Sequence, residues 1–131
     1  NMKYLTTFLL LLLPALAALA DGEGAAIQFA EKAYDFGTIA EQGGPVSHEF
    51  EFTNTGDAPL MILNATASCG CTRPDFPKKP VKAGKTGKIK VTYLPAGRPG
   101  EFEKTVTVKT NAKRQKKVTL RIKGFVNPDA R

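Results

Sequence analysis

The sequence has no tryptophan, one histidine and only two cysteines. With no tryptophan, and with the cysteines at 69 and 71, it cannot form the Cys, Trp, Cys pattern that pins antibody domains. The single histidine, His48, gives no basis for a Ser/His/Asp group, because one imidazole among scattered acids fits too many arrangements. Two cysteines are too few for a closed zinc site. There is no glycine-rich phosphate loop: Gly84, Gly87 and Lys88 fall inside strand and turn patterns with no helix after them. No stretch sustains a 3.6-residue apolar period, which argues against a helical fold. Beyond the N-terminal segment no apolar run approaches the roughly 20 residues that a membrane-crossing helix needs.

What the chain does have begins with Lys3, an apolar run from Leu5 to Leu13, helix-breaking Pro14, and small residues Ala18 and Ala20 before Asp21. That order of positive, apolar and small-residue regions predicts a signal peptide over residues 1–20, cleaved before Asp21. The competing reading is a retained anchor, for which the run is short. The expectation is an extracytoplasmic protein, periplasmic or secreted, with no transmembrane span after cleavage. Residues 21–26 are small and polar and read as a flexible linker. Residues 27–128 suit one domain with one core.

Within that domain the apolar residues alternate. Val46, His48, Phe50 and Phe52 share one face of a strand, and Ser47, Glu49 and Glu51 the other. Ile89, Val91 and Tyr93 alternate with lysines and threonine, as do Val106 and Val108, then Val118, Leu120 and Ile122. Leu60 to Leu63 is a continuous apolar run, read as a more buried strand. Ile27 to Phe29 and Tyr34 to Ile39 supply an early strand or two. Turn chemistry separates the runs at Gly43-Gly44-Pro45, Asn54-Thr55-Gly56-Asp57, Ala83-Gly84, Gly97-Arg98-Pro99-Gly100 and Asn111-Ala112. The pattern predicts an all-β fold, an immunoglobulin-like sandwich of about seven antiparallel strands.

Three segments then carry a resemblance: Tyr34-Asp35-Phe36-Gly37-Thr38-Ile39, the run from His48 to Leu60, and Ala67-Ser68-Cys69-Gly70-Cys71-Thr72. Together with Pro80 to Gly84, Ile89 to Tyr93 and Gly100 to Thr110, they resemble the bacterial domain of unknown function 1573 family across nearly the whole domain. The Phe-Thr-Asn-Thr-Gly-Asp segment is also similar to the wider immunoglobulin-like group that includes major sperm protein and the pilus-chaperone fold. The resemblance implies a sandwich in a cell-envelope setting and, through the wider group, a binding or scaffolding module. It implies no activity, because fold alone does not carry one.

Cys69-Gly70-Cys71 is the sharpest local feature, and three readings of it stand. The pair closes a small structural disulfide, as export would allow; it is a redox-active dithiol; or its two thiolates hold a soft metal, copper or zinc, with His48 and Met61 as auxiliary ligands. An extended i, i+2 pair lies near the upper limit for a disulfide, so closure requires a bend that Gly70 permits. The usual two-residue spacer and following helix of a redox motif are missing, since Pro74 and Pro77 come next. No other cofactor is implied.

Charge is divided along the chain. Residues 21–71 hold eight acids and one base, whereas residues 72–131 hold four acids and seventeen bases. Export makes nucleic acid an unsuitable partner. Lys78 and Lys79, and the hairpin-tip group Lys113, Arg114, Lys116 and Lys117, are candidate contacts to an anionic surface. The same lysines also blunt exposed edges and keep the chain soluble. The expected partner is another envelope protein or an anionic surface, and the expected role is a non-catalytic binding module, with thiol-redox or soft-metal handling as the alternative.

Overall fold

The computed structural model describes residues 24–128. The signal-peptide expectation for residues 1–20, and the start of the 21–26 segment, lie outside the described residues. Eight strands follow one another: β1 (Ile27–Phe29), β2 (Ala33–Ala40), β3 (Val46–Asn54), β4 (Ile62–Ala67), β5 (Thr72–Asp75), β6 (Thr86–Tyr93), β7 (Gly100–Thr110) and β8 (Lys117–Asn127). They form two four-stranded sheets with strand orders β1-β3-β6-β5 and β2-β8-β7-β4. There is no helix among the described residues.

The alternation seen in the sequence is what closes the sandwich. Phe50, Phe52, Ile89, Val91 and Tyr93 are buried from one sheet, and Val106, Val108, Leu120 and Ile122 meet them from the other. Val46, at the start of its strand, is only half-buried against this core. Tyr93 of β6 and Phe102 of β7 stack with centroids 3.9 Å apart, an aromatic contact of about 0.5–1.5 kcal/mol beyond its area. Gly87 is required by packing: a Cβ there would sit 2.5 Å from the Phe52 ring.

The structure corrects the sequence reading at four places. The strands number eight rather than about seven, and they are not all antiparallel, since β2 runs parallel to β8. The chain leaves the first sheet after Phe29 and enters the second at Ala33, so one early stretch supplies an edge to each sheet. The Leu60–Leu63 run is not a uniformly buried strand. Leu60 sits in an isolated bridge with Val81, and a register shift between Ile62 and Asn64 turns Leu63 outward, 57% exposed. Residues 24–26 are held rather than loose: the Gly24 amide donates to Asp57 Oδ1 (2.9 Å), the Ala26 amide to Asn54 Oδ1 (3.3 Å), and Ala25 is buried. Finally, β5 is a strand that the sequence reading did not pick out. It is an edge strand, which is where Pro74 costs no ladder bond.

Candidate functional site

Beyond the end of β4 the chain is fixed on both sides of the cysteine turn. The Ser68 amide donates to Thr105 O (2.9 Å), and the Thr105 amide donates back to Ser68 Oγ (3.1 Å). The Thr72 amide donates to Cys69 O (3.1 Å), closing a four-residue turn, and the Leu94 amide donates to Cys71 O (2.9 Å), tying Cys71 to the end of β6. The turn brings the cysteine Cα atoms to 5.2 Å and places the two sulfurs in bonding contact. That separation lies inside the usual disulfide range of about 4.4–6.8 Å. The bend expected at Gly70 is therefore present, but its φ is not in the left-handed region, and a Cβ there would meet nothing within 4 Å. Glycine at 70 leaves open space over the turn rather than relieving strain.

The two cysteines are not equivalent. Cys71 is 1% exposed and belongs to the core, whereas Cys69 is half-buried against it. The Cys71 amide donates to Cys69 Sγ at 3.0 Å, and Cys71 Sγ lies 3.6 Å from the Thr72 hydroxyl.

Of the two auxiliary ligands proposed from the sequence, His48 has other partners and Met61 lies at the opposite end of β4 from the cysteines. His48 does fall on the inner side of β3. Its Nε2 pairs with Glu31 Oε1 at 2.6 Å, its ring stacks on Tyr34 at 3.7 Å, and Phe50 meets it edge-on. This contact joins β2 of one sheet to β3 of the other and closes that side of the sandwich. Met61 precedes β4, whereas Cys69 follows it. A six-residue strand, roughly 20 Å long, separates them. Among the described residues no three His, Cys, Asp or Glu side chains form a group that could hold a metal ion.

The basic residues also divide. Lys78 lies 3.8 Å over the Phe76 ring and donates to Phe76 O, and Lys79 beside it is exposed. Lys113 and Arg114 belong to the β7–β8 turn, with Lys116 beside them and Lys117 opening β8. Lys113, Arg114 and Gln115 line one wall of a cleft of about 500 Å³ whose other wall is Ala25, Ala26, Ile27 and Gln28 at the β1 edge, with Thr55 and buried Ala112 between; Lys116 and Lys117 are not part of it. The Ala26–Thr55 and Ala30–Glu51 backbone bonds set the parity of the β1–β3 ladder. Gln28 therefore pairs with Thr53, and the amides and carbonyls of buried Ile27 and half-buried Phe29 point away from β3 at the edge of the sheet.

Asn54 is the residue the sequence reading passed over as part of a turn. It is fully buried. Its Nδ2 donates to Ala58 O (2.8 Å) and Val81 O (2.9 Å), and its Oδ1 accepts from the Ala26 and Gly56 amides. The signal was available: 46, 48, 50, 52 and 54 share one parity, so position 54 had to face inward. Elsewhere, burial raises the Tyr93 phenol above its ordinary value, with the Arg98 guanidinium opposing.

A family model described as a protein of unknown function, DUF1573, matches residues 27–126. The chain belongs to the DUF1573 family. No curated protein matches it in sequence. Among solved structures, the DUF1573 domain is similar to a protein of unknown function from Porphyromonas gingivalis, at 14% identity and a TM-score of 0.69, covering 85% of this chain and 51% of that one. It is similar to the VesB protease of Vibrio cholerae, at 16% identity and a TM-score of 0.60, covering 79% of this chain and 32% of that one. It is also similar to the ASH / PapD-like domain 7 of human CEP192, at 15% identity and a TM-score of 0.62, covering 99% of each chain. The DUF1573 chain thus spans about half of the first of these proteins and about a third of the second. At such identities these likenesses establish the immunoglobulin-like sandwich and nothing finer.

Proposed function

We propose that the DUF1573 domain is a non-catalytic binding module of the cell envelope that takes an extended segment of a partner protein along the open edge of β1. The observation that carries this is the coincidence of two features in one cleft. The edge of β1 turns the amides and carbonyls of Ile27, buried at the base of the cleft, and of half-buried Phe29 away from β3, and Lys113 and Arg114 stand across from Ile27. An added strand takes its affinity from backbone hydrogen bonds and its selectivity from the side chains beside it. Here the two cations favour a segment with acidic residues, which is how the anionic preference of the basic half enters the reading. The extracytoplasmic setting rests on the order of charged, apolar and small residues over 1–20.

A photo-crosslinking amino acid at Gln28 or Gln115, on the two walls of the cleft, tests this against one at Arg73 on the opposite edge of the same sheet. In envelope extract, crosslinks should form at 28 and 115 and not at 73. They should fade with salt and in a Lys113→Glu, Arg114→Glu variant, and the Ile27 and Phe29 amides should become protected from exchange in the complex. Equal crosslinking at 73, or indifference to charge reversal, would overturn the reading.

A further inference from the structure

We infer that Cys69 and Cys71 form a reversible, directional disulfide that exchanges with the dithiols of other exported proteins, with Cys69 as the sulfur that is attacked and Cys71 as the sulfur that leaves. The activity is separate from strand binding and rests on different residues.

The direction follows from burial. Attack on a disulfide proceeds along the sulfur–sulfur axis, from the side opposite the leaving sulfur. Cys71 is 1% exposed and packed in the core, so a protein thiolate has no approach to it. Cys69 is half-buried and stands beside exposed Gly70, where an added Cβ would meet nothing within 4 Å, so Cys69 is the more accessible of the two sulfurs.

The surroundings provide for both products. In the first step a thiolate of the partner bonds to Cys69 Sγ, the Cys69–Cys71 bond breaks, and its electron pair passes to Cys71 Sγ. The departing sulfur lies 3.6 Å from the Thr72 hydroxyl, which can donate to it before it takes a proton from solvent. In the second step the partner's other thiolate attacks its own sulfur in the mixed disulfide. The partner is left oxidised, and Cys69 is released as a thiolate. Two electrons have passed from the partner dithiol to the pair. The Cys71 amide, 3.0 Å from Cys69 Sγ, is a donor already aimed at that thiolate, and hydrogen bonding to the charged form favours it. The reverse sequence, with a partner disulfide as oxidant, restores the pair.

The turn also separates the redox event from the fold. The ring closed by a one-residue spacer removes little chain entropy. The turn itself is held by the Thr72–Cys69, Leu94–Cys71 and Ser68–Thr105 backbone bonds, none of which needs the sulfur bond. Reduction should therefore leave the sandwich intact, as an exchanging pair requires.

Single-cysteine variants and a glutathione redox buffer test the assignment. Folded Cys71→Ser should form a mixed disulfide with glutathione disulfide at least about tenfold faster than folded Cys69→Ser, and the difference should vanish in denaturant, because it comes from access. If either variant fails to fold, the reduced wild type is treated with limiting iodoacetamide and peptide-mapped, and Cys69 should be alkylated first. The wild-type pair should move between oxidised and reduced across the accessible range of glutathione ratios with little change in thermal midpoint. Equal reactivity of the two cysteines in the folded protein, faster reaction at Cys71, or a pair that stays oxidised at every ratio would overturn the proposal.

Discussion

Asn54 ties three stretches of chain that are far apart in sequence. One carboxamide satisfies carbonyls at Ala58 and Val81 and amides at Ala26 and Gly56, and its backbone bonds to Lys85 and Gly84. A buried group left without its partner costs about 1–3 kcal/mol, and truncation here orphans several at once. Asn54→Ala should therefore lower stability by about 3 kcal/mol in chemical denaturation. Asn54→Asp should also be damaging, because a carboxylate cannot donate to the two carbonyls. A loss below about 1 kcal/mol for Asn54→Ala would mean that water replaces the side chain. Tyr93 makes a different residue-level forecast. Burial raises its folded pKa above the ordinary value near 10. As pH rises, the unfolded phenol ionises first, so its contribution is fully present below about pH 10 and is lost as pH climbs through the folded value. Tyr93→Phe should remove part of the alkaline fall in stability above about pH 10 while leaving the neutral-pH slope unchanged. Parallel alkaline slopes for the variant and wild type would show that the phenol stays solvated.

At the level of strands, the period-2 pattern was legible wherever one face is wet and one dry, and β3, β6, β7 and β8 are all of that kind. Less was legible at the edges. β5 carries Pro74 and has only one neighbour, so its sequence shows neither an unbroken ladder nor an apolar face. β2 is exposed along most of its length, and no alternation can reveal that it runs parallel to β8. Leu63 misled because a bulge reverses the facing of a side chain without altering composition. The candidate sites divide in the same way. Cys69 and Cys71 are two residues apart, and any close reading finds them. The β1 cleft needs Ile27 and Lys113 to be neighbours, and 86 positions of sequence gave no sign of it. His48 falls on the inner side of its strand as expected, but its partners Glu31 and Tyr34 come from the stretch in which the chain crosses from one sheet to the other.

Across the whole molecule, the division of charge along the chain becomes an interleaving in space. Acidic β3 lies beside basic β6, with Glu49 opposite Lys90 and Glu51 opposite Lys88, and Lys88 Nζ is 3.5 Å from Glu49 Oε1. In the second sheet the cross-strand pair lies within the basic half itself, with Arg121 3.7 Å from Glu103 across β7 and β8. The acidic half is thus partly spent as a lining for the basic half. Lys113 and Arg114 at the cleft stand in the β7–β8 turn. The paired side chains are more than half exposed, so each cross-strand pair contributes at most about 1 kcal/mol, whereas like charges set opposite one another destabilise by a similar amount. Reversing both acids, as Glu49→Lys with Glu51→Lys, would line four cations across β3 and β6 and should lower stability by about 1–2 kcal/mol at low ionic strength. Adding Lys88→Glu and Lys90→Glu restores opposite signs with the order exchanged, and should recover most of that loss. Salt should shrink the gap between the double and quadruple variants, because exposed charges are screened over about 10 Å at 0.1 M. Urea midpoints at low and high salt measure all three. A quadruple variant as unstable as the double would show that Glu49 and Glu51 act through something other than their lysine neighbours, and the division of charge along the sequence would then need another cause.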